Sequence, residues 1–246
     1  MSSDDAAPDD LASTRAAAAR RGHTAVSPPA RIPTGFAALD AALGGGVPRQ
    51  RITEIGGVPT SGMATLALKI VAQAHARGGT AVYLDPNDTF DPDYAHRCGV
   101  RLPRLTLVRP ADLAQLAALL ADLAAGPDVL VCDLPLAPPT PTAAQALATG
   151  LGRLVAALND ADCAVLCLTT LPASAATPSA YPLLSATLAH YAAVRLRLRR
   201  QRWLHAAQDV SGYQAQVQVR KNKFGAAGQQ VPIAITFDDV VHGDAA

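Results

Sequence analysis

The chain runs to 246 residues, half of them hydrophobic and only 4% aromatic, a length that suits one α/β domain with a sizeable core. Ala and Leu dominate, which favours a helix-rich α/β protein over a β-sandwich. With 21 Lys and Arg against 20 Asp and Glu, the net charge of +1 excludes a global attraction to nucleic acid, so any DNA contact has to come from a local basic patch.

Residues 1–30 open acidic, turn basic through Arg15, Arg20 and Arg21, and end in a Ser-Pro-Pro stretch that cannot continue a helix. They are expected to form a flexible tail with one short helix, either a leader without function or an arm that docks a partner. A core domain is expected over 31–240, with 241–246 as a C-terminal tail. The core opens with a short helix in GFAALDAALGG that stops at the glycines 44–46, and RITEIGG follows as a strand. A helix from about Thr65 to Arg77 leads into the strand TAVYLD. Helix PADLAQLAALLADLAA then precedes strand DVLVCD, and helix AAQALATGLGRLVAALND precedes strand CAVLCLTT. Apolar strands without alternation, each after an amphipathic helix, predict a parallel sheet covered on both faces.

The last third alternates in period two through HYAAVRLRLRRQRW, GYQAQVQVRKNKF and VPIAITFD, as antiparallel strands with one solvated face do. The prediction is thus an α/β fold with a mixed, mostly parallel central sheet flanked by helices and antiparallel edge strands near the C-terminus. Cys98, Cys132, Cys163 and Cys167 are scattered, three of them in or next to apolar runs, so neither a disulfide framework nor a zinc site is expected. No signal sequence and no apolar run of roughly 18 residues is present, which predicts a cytoplasmic protein without membrane contact.

Between the first strand and its helix, Gly57-Val-Pro-Thr-Ser-Gly62-Met63-Ala64-Thr65 has the spacing and context of a G-x-x-x-x-G-K-[ST] phosphate loop. The glycines permit a tight turn, and the helix N-terminus offers amides to an anion. Met63 stands where a lysine would reach the terminal phosphates, and Ala64 where a hydroxyl would ligate Mg²⁺. Thr65 carries a hydroxyl one position late, on a different side of the helix. An ordinary glycine turn with no phosphate history is the competing reading.

Reading outward from that loop, RIPTGFAALDAALGGGVPRQRITEIGGVPTSGMATLAL resembles the start of the RecA recombinase core, with the substitutions concentrated in the loop. YLDPNDTFDPDYAHRCGV, DVLVCD, HYAAVRLRLRR and VQVRKNKFGAAG continue the resemblance in order over residues 31–238. The resemblance implies a RecA-like P-loop NTPase core with Asp91 and Tyr94 at the adenine, Asp133 at the Walker B position, and Lys221 and Lys223 reaching a neighbour's terminal phosphate across a filament. It puts Asn87 where the family has its general-base glutamate, and an amide cannot accept a proton from water at neutral pH. LPLAPPTPT and LPASAATPSAYPLL replace longer, more charged DNA-binding loops, and Gln216 and Gln218 replace basic residues of a second DNA site.

Arg195, Arg197 and Arg199 alternate with Leu196 and Leu198, so their guanidinium groups share one face, and Arg200, Arg202 and Trp203 are expected to extend that surface. Phosphate backbone, with Trp203 stacking on a base, fits such a face, and so do an acidic partner protein and a solvated or carboxylate-paired sheet. His190 and His205 lack ligand companions, and no metal is expected. The resulting expectation is a non-hydrolysing RecA-like accessory of DNA repair, recombination, the SOS response or translesion synthesis, comparable in kind to ImuA-type proteins. It would bind a true RecA filament, a translesion polymerase assembly or single-stranded DNA, with homo-oligomers and weak ATP binding without productive Mg²⁺ left open. The alternatives are an ATP-dependent recombinase that uses Lys221 and Lys223 in trans, and an adenine-nucleotide sensor without turnover.

Overall fold

The computed structural model describes residues 29–134, 139–171, 182–206, 209–237 and 241–243. A two-stranded antiparallel ribbon, β1 (Arg31–Ile32) with β2 (Val47–Pro48), brackets helix α1 (Ala37–Leu43), which stops on Gly44 in the left-handed region at φ 74°. The main sheet holds β3 (Ile52–Gly57), β4 (Ala81–Leu84), β5 (Leu105–Val108), β6 (Val129–Asp133) and β7 (Ala164–Thr170). It continues with β8 (Val194–Ala206), β9 (Asp209–Asn222), β10 (Gln230–Phe237) and β11 (Val241–Gly243). These nine strands lie in the order β11-β10-β9-β8-β3-β7-β6-β4-β5, parallel from β8 through β5 and antiparallel from β8 out to β11. The predicted mixed, mostly parallel sheet is therefore present, and its last strand reaches Gly243, past the boundary expected at 240.

Helices α2 (Met63–Ala76), α3 (Pro92–Arg97), α4 (Leu113–Leu123), α5 (Pro141–Ala157) and α6 (Pro182–Tyr191) connect the strands. Consecutive strand residues serve opposite faces. Ile55, Val131 and Leu166 join Leu66 and Ile70 of α2 in one buried layer, while Ile52, Leu130 and Val165 join Leu116, Leu120, Leu147 and Leu151 in the other. Each fully buried Leu or Ile contributes roughly 1.5–3 kcal/mol, which is why both faces of the parallel strands are apolar without alternation. Helices α4 and α5 meet at Gly150, where a methyl group would stand 2.6 Å from the Ala117 carbonyl oxygen, so only glycine admits this approach.

The C-terminal third departs from the prediction in two respects. HYAAVRLRLRRQRW is not one antiparallel strand: His190 and Tyr191 end α6, and β8 begins at Val194 and runs parallel to β3 on one side while pairing antiparallel with β9 on the other. Period-two alternation reports one solvated face and carries no information about the direction of the neighbour. The prediction also lacks β5, four residues long, and α3, six residues long, both too short for a periodic signal. Among the described residues no helix is long and apolar enough to cross a membrane. The tail at 1–28 and most of the two loops expected to be trimmed, at 135–138 and 172–181, lie outside the described residues.

In the last turn of α2, His75 is fully buried; its Nδ1 accepts the Arg101 amide at 3.1 Å and its Nε2 has no hydrogen-bond partner among the described residues. Burial, with Arg104 and Arg101 adding repulsion, holds its pKa below the ordinary 6.5 against the raising effects of the Arg104 backbone and of Asp128. The folded chain therefore keeps His75 neutral where the unfolded chain takes up a proton, so its contribution is intact above pH 6.5 and is lost as the pH falls below it. Urea denaturation at about pH 7.5 and about pH 5.5 is expected to show a stability loss of up to ~1.4 kcal/mol per pH unit from this group. His75→Leu should flatten that part of the pH slope; an unchanged slope in the variant would show that His75 does not set it.

Candidate functional site: a glycine loop under an aromatic cluster

Strand β3 sits between β7 and β8, and its C-terminal end delivers residues 58–62 directly into α2. The turn is tight. Thr60 has φ 62° and Gly62 φ 99°, and the Leu66 amide donates to the Gly62 carbonyl at 2.9 Å to open the helix. Ser61 is fully buried inside the loop with its hydroxyl unpartnered among the described residues, and a methyl group on Gly57 would collide with that oxygen. A tight glycine turn between strand and helix is thus present. Met63, half-buried, packs on the apolar core, and Ala64 is exposed at the position expected to hold a metal-binding hydroxyl. The loop supplies backbone amides but neither a cation nor a metal-ligating side chain at these two positions.

Thr65 is only 4% exposed, and its hydroxyl lies 2.7 Å from Tyr94 Oη and 3.3 Å from Tyr213 Oη. Its hydroxyl is thus enclosed between α3 and β9. Tyr213, on β9, is 5% exposed and packs its ring against Phe237 at 5.7 Å and Trp203 at 5.9 Å between centroids. Burial pushes the Tyr94 and Tyr213 phenols above their ordinary pKa, so both stay neutral and each retains a proton to donate. Arg200 completes the cluster: its guanidinium lies 4.2 Å over the Trp203 ring and donates to Thr60 Oγ1 at 3.2 Å. The loop is thus gripped by side chains from β8 and β9.

The other expected nucleotide residues have internal partners. Asp91 caps α3, accepting the Asp93 amide at 2.9 Å and the Tyr94 amide at 3.0 Å. Asp133 ends β6 and accepts the Tyr83 hydroxyl at 3.1 Å. Burial pushes the Asp133 carboxyl up to about 6 against the lowering effect of that hydrogen bond, with the nearby Asp85 carboxylate adding to the rise. Asn87 donates to the Leu134 carbonyl at 3.4 Å. Lys221 donates to the Ala189 carbonyl at 2.7 Å, capping the C-terminal end of α6, and Lys223 is exposed.

The arginines of β8 divide between the two sides of the sheet. Arg195 forms an ion pair with Glu54, which is 4% exposed and also accepts Thr169 Oγ1 at 3.2 Å, so the carboxylate-paired reading holds for this residue alone. Arg197 and Arg199 are exposed and form no ion pair among the described residues. A β-bulge between Arg200 and Arg202 then reverses the facing. Arg200 and Trp203 turn to the glycine loop, correcting the expectation that they extend the arginine surface, whereas Arg202 joins it and donates to Gln214 Oε1 at 2.7 Å. Across the ladder Gln218 faces Arg197 and Gln216 faces Arg199, and Arg220 adds a further exposed guanidinium. A shallow cleft of about 110 Å³ opens there, lined by Glu54, Arg195, Arg197 and Arg220 among others.

Tyr213, Phe237, Glu54 and Arg220 were not legible as site residues in the sequence. Tyr213 sits in register with Ala215, Val217 and Val219, which reads as one more core position of a strand. Only the pairing of β9 with β8, and of β8 with β3, carries it to the loop.

A family model of the RecA N-terminal domain matches residues 15–242. The chain is 33% identical to Protein RecA of Nocardia farcinica over 244 residues, covering 91% of this chain and 70% of that protein. It is 35% identical to Protein RecA of Methylococcus capsulatus over 213 residues, covering 78% of this chain and 61% of that protein. It is 33% identical to Protein RecA of Mycobacterium tuberculosis (strain H37Rv) over 250 residues, covering 91% of this chain and 31% of that protein. With the glycine loop, the parallel sheet and the late antiparallel strands arranged as described, this chain belongs to the RecA family.

Proposed function

We propose that this chain is a RecA-type accessory of DNA repair and recombination that binds the backbone of single-stranded DNA through the β8–β9 face and does not hydrolyse ATP. The observation that carries this reading is the face itself. Arg197, Arg199, Arg202 and Arg220 stand exposed on neighbouring strands without a carboxylate partner among the described residues, with Gln214, Gln216 and Gln218 between them. Guanidinium groups this close repel one another unless an anion lies among them, and a phosphate chain accepts both the charge and the forked donors. The amides of the glutamines add neutral donors without sequence selectivity.

Loss of turnover follows from the loop. Phosphoryl transfer is catalysed chiefly by positioned positive charge, and Met63, Ala64 and Asn87 replace a cation, a metal-ligating hydroxyl and a base together. Lys221 spends its ammonium on the carbonyls of α6, which supports the accessory reading over supply of that lysine to a neighbouring protomer. Partner proteins of the repair machinery, whether a true RecA filament or a translesion polymerase assembly, belong to the same proposal.

Binding to a fluorescent oligothymidylate, followed by anisotropy over a salt series, is expected to give a log-log slope near about −3, from four phosphate contacts at ~0.7 each. Replacing Arg197 and Arg199 with Gln should reduce the slope by about 1.4 and weaken binding similarly for all sequences. Failure to bind at low salt, or binding that the double replacement leaves intact, sinks the DNA-binding reading. Turnover assays with saturating single-stranded DNA are expected to show no ATP hydrolysis. Hydrolysis that disappears in Lys221→Ala or Lys223→Ala would instead establish an ATP-dependent enzyme that borrows lysines.

A further inference from the structure

Tyr213 stands against the glycine loop that carries Met63 and Ala64. Its ring is buried over the N-terminus of α2, and its hydroxyl touches two elements of the loop. A methyl group on Gly62 would stand 2.7 Å from Tyr213 Oη, and Thr65 Oγ1 is 3.3 Å away. The same Thr65 oxygen reaches Tyr94 Oη at 2.7 Å, so three hydroxyls run in series from α3 across α2 to β9. Phe237 backs the Tyr213 ring from β10, and Trp203 covers its edge from β8. Arg200 ties the outer side of the loop through Thr60.

We propose that Tyr213 is an internal occupant of the nucleotide site, holding the glycine loop closed through Gly62 and Thr65 so that adenine nucleotides are excluded by a side chain of the protein itself. The proposal rests on the accessory reading and deepens it. A neutral phenol offers the loop a polar atom, and its ring fills apolar space between the loop and Phe237. An entering nucleotide has to displace both, and to separate Tyr94 from Thr65 before Tyr94 can face a base. The two strands that carry this closure on one side carry Arg197, Arg199, Arg202 and Gln214 on the other. The DNA-facing surface is therefore set without a nucleotide, because the loop it adjoins is already closed.

Trp203 is the chain's sole tryptophan and lies beside Tyr213, so its emission reports events at the closure directly. Full-length protein and three variants are titrated with ADP and ATP, with and without Mg²⁺, by calorimetry and Trp203 fluorescence. The wild-type chain is expected to show no binding up to about 1 mM, the weak end of measurable affinity, and no change in emission. Tyr213→Ser should gain binding at least about tenfold tighter than that ceiling, with a change in Trp203 emission. Met63→Lys with Ala64→Thr, at positions outside the fully buried core, restores the charge and the hydroxyl but leaves Tyr213 in place, and should remain unable to bind. Adding Tyr213→Ser to that pair should give the tightest binding of the series.

Nucleotide binding by Met63→Lys/Ala64→Thr with Tyr213 intact overturns the proposal, as does a folded Tyr213→Ser chain that gains nothing. Should Tyr213→Ser alone fail to fold, the Met63→Lys/Ala64→Thr pair still decides. In either overturning case the accessory reading stands as long as the wild type binds oligothymidylate without ATP turnover. Wild-type ATP hydrolysis defeats both.

Discussion

The parallel pairing of β8 with β3 is the contact on which every functional feature here depends. Main-chain hydrogen bonds hold Thr53 beside Val194 and Gly57 beside Leu198, so the arginine-rich strand runs along the strand that ends in the glycine loop. Beyond Leu198, β8 overshoots the end of β3, and the bulge between Arg200 and Arg202 turns successive side chains to opposite sides. One strand thereby delivers Arg200 and Trp203 to the loop and Arg197, Arg199 and Arg202 to solvent. A regular strand in that place would have put Arg202 on the loop side and Trp203 on the polar face.

The electrostatics follow the same division. Near the sheet centre the only arrangement that tolerates charge is a pair, and Arg195 with the buried Glu54 forms it, helped by the Thr169 hydroxyl. Toward the edge no carboxylate accompanies the guanidinium groups among the described residues, so their charge is available to a ligand. A net charge of +1 conceals this, since opposite charges elsewhere on the chain cancel a patch that is local. Asp133 and Asp91, in turn, are satisfied by Tyr83 and by the first turn of α3.

In this member of the RecA family the two glycines of the loop are fixed by packing. Gly57 and Gly62 remain necessary, one because Ser61 fills the space a side chain would take, the other because φ is 99° and Tyr213 lies against it. Their retention therefore has a packing cause independent of any phosphate. Met63 is half-buried and packs against the apolar core, as an apolar side chain next to buried leucines does.

Much of the architecture was already written in the residues: helix α1 and its glycine stop, the three long helix and strand alternations, and the loop with its missing lysine all follow from local pattern and spacing, which survive in any fold that buries those faces. The arginine alternation also marked β8 as a half-solvated strand. The direction of its neighbour, the bulge at Arg200, the assignment of His190 and Tyr191 to α6, and the capture of Lys221 by that helix were settled only in three dimensions. Each depends on a partner distant in sequence, because strand pairing brings residues 53 and 194, or 62 and 213, together without leaving a periodic trace in either segment. Tyr213 is the clearest instance. Alternation made it a core residue, and the sheet order alone placed that core position over the glycine loop.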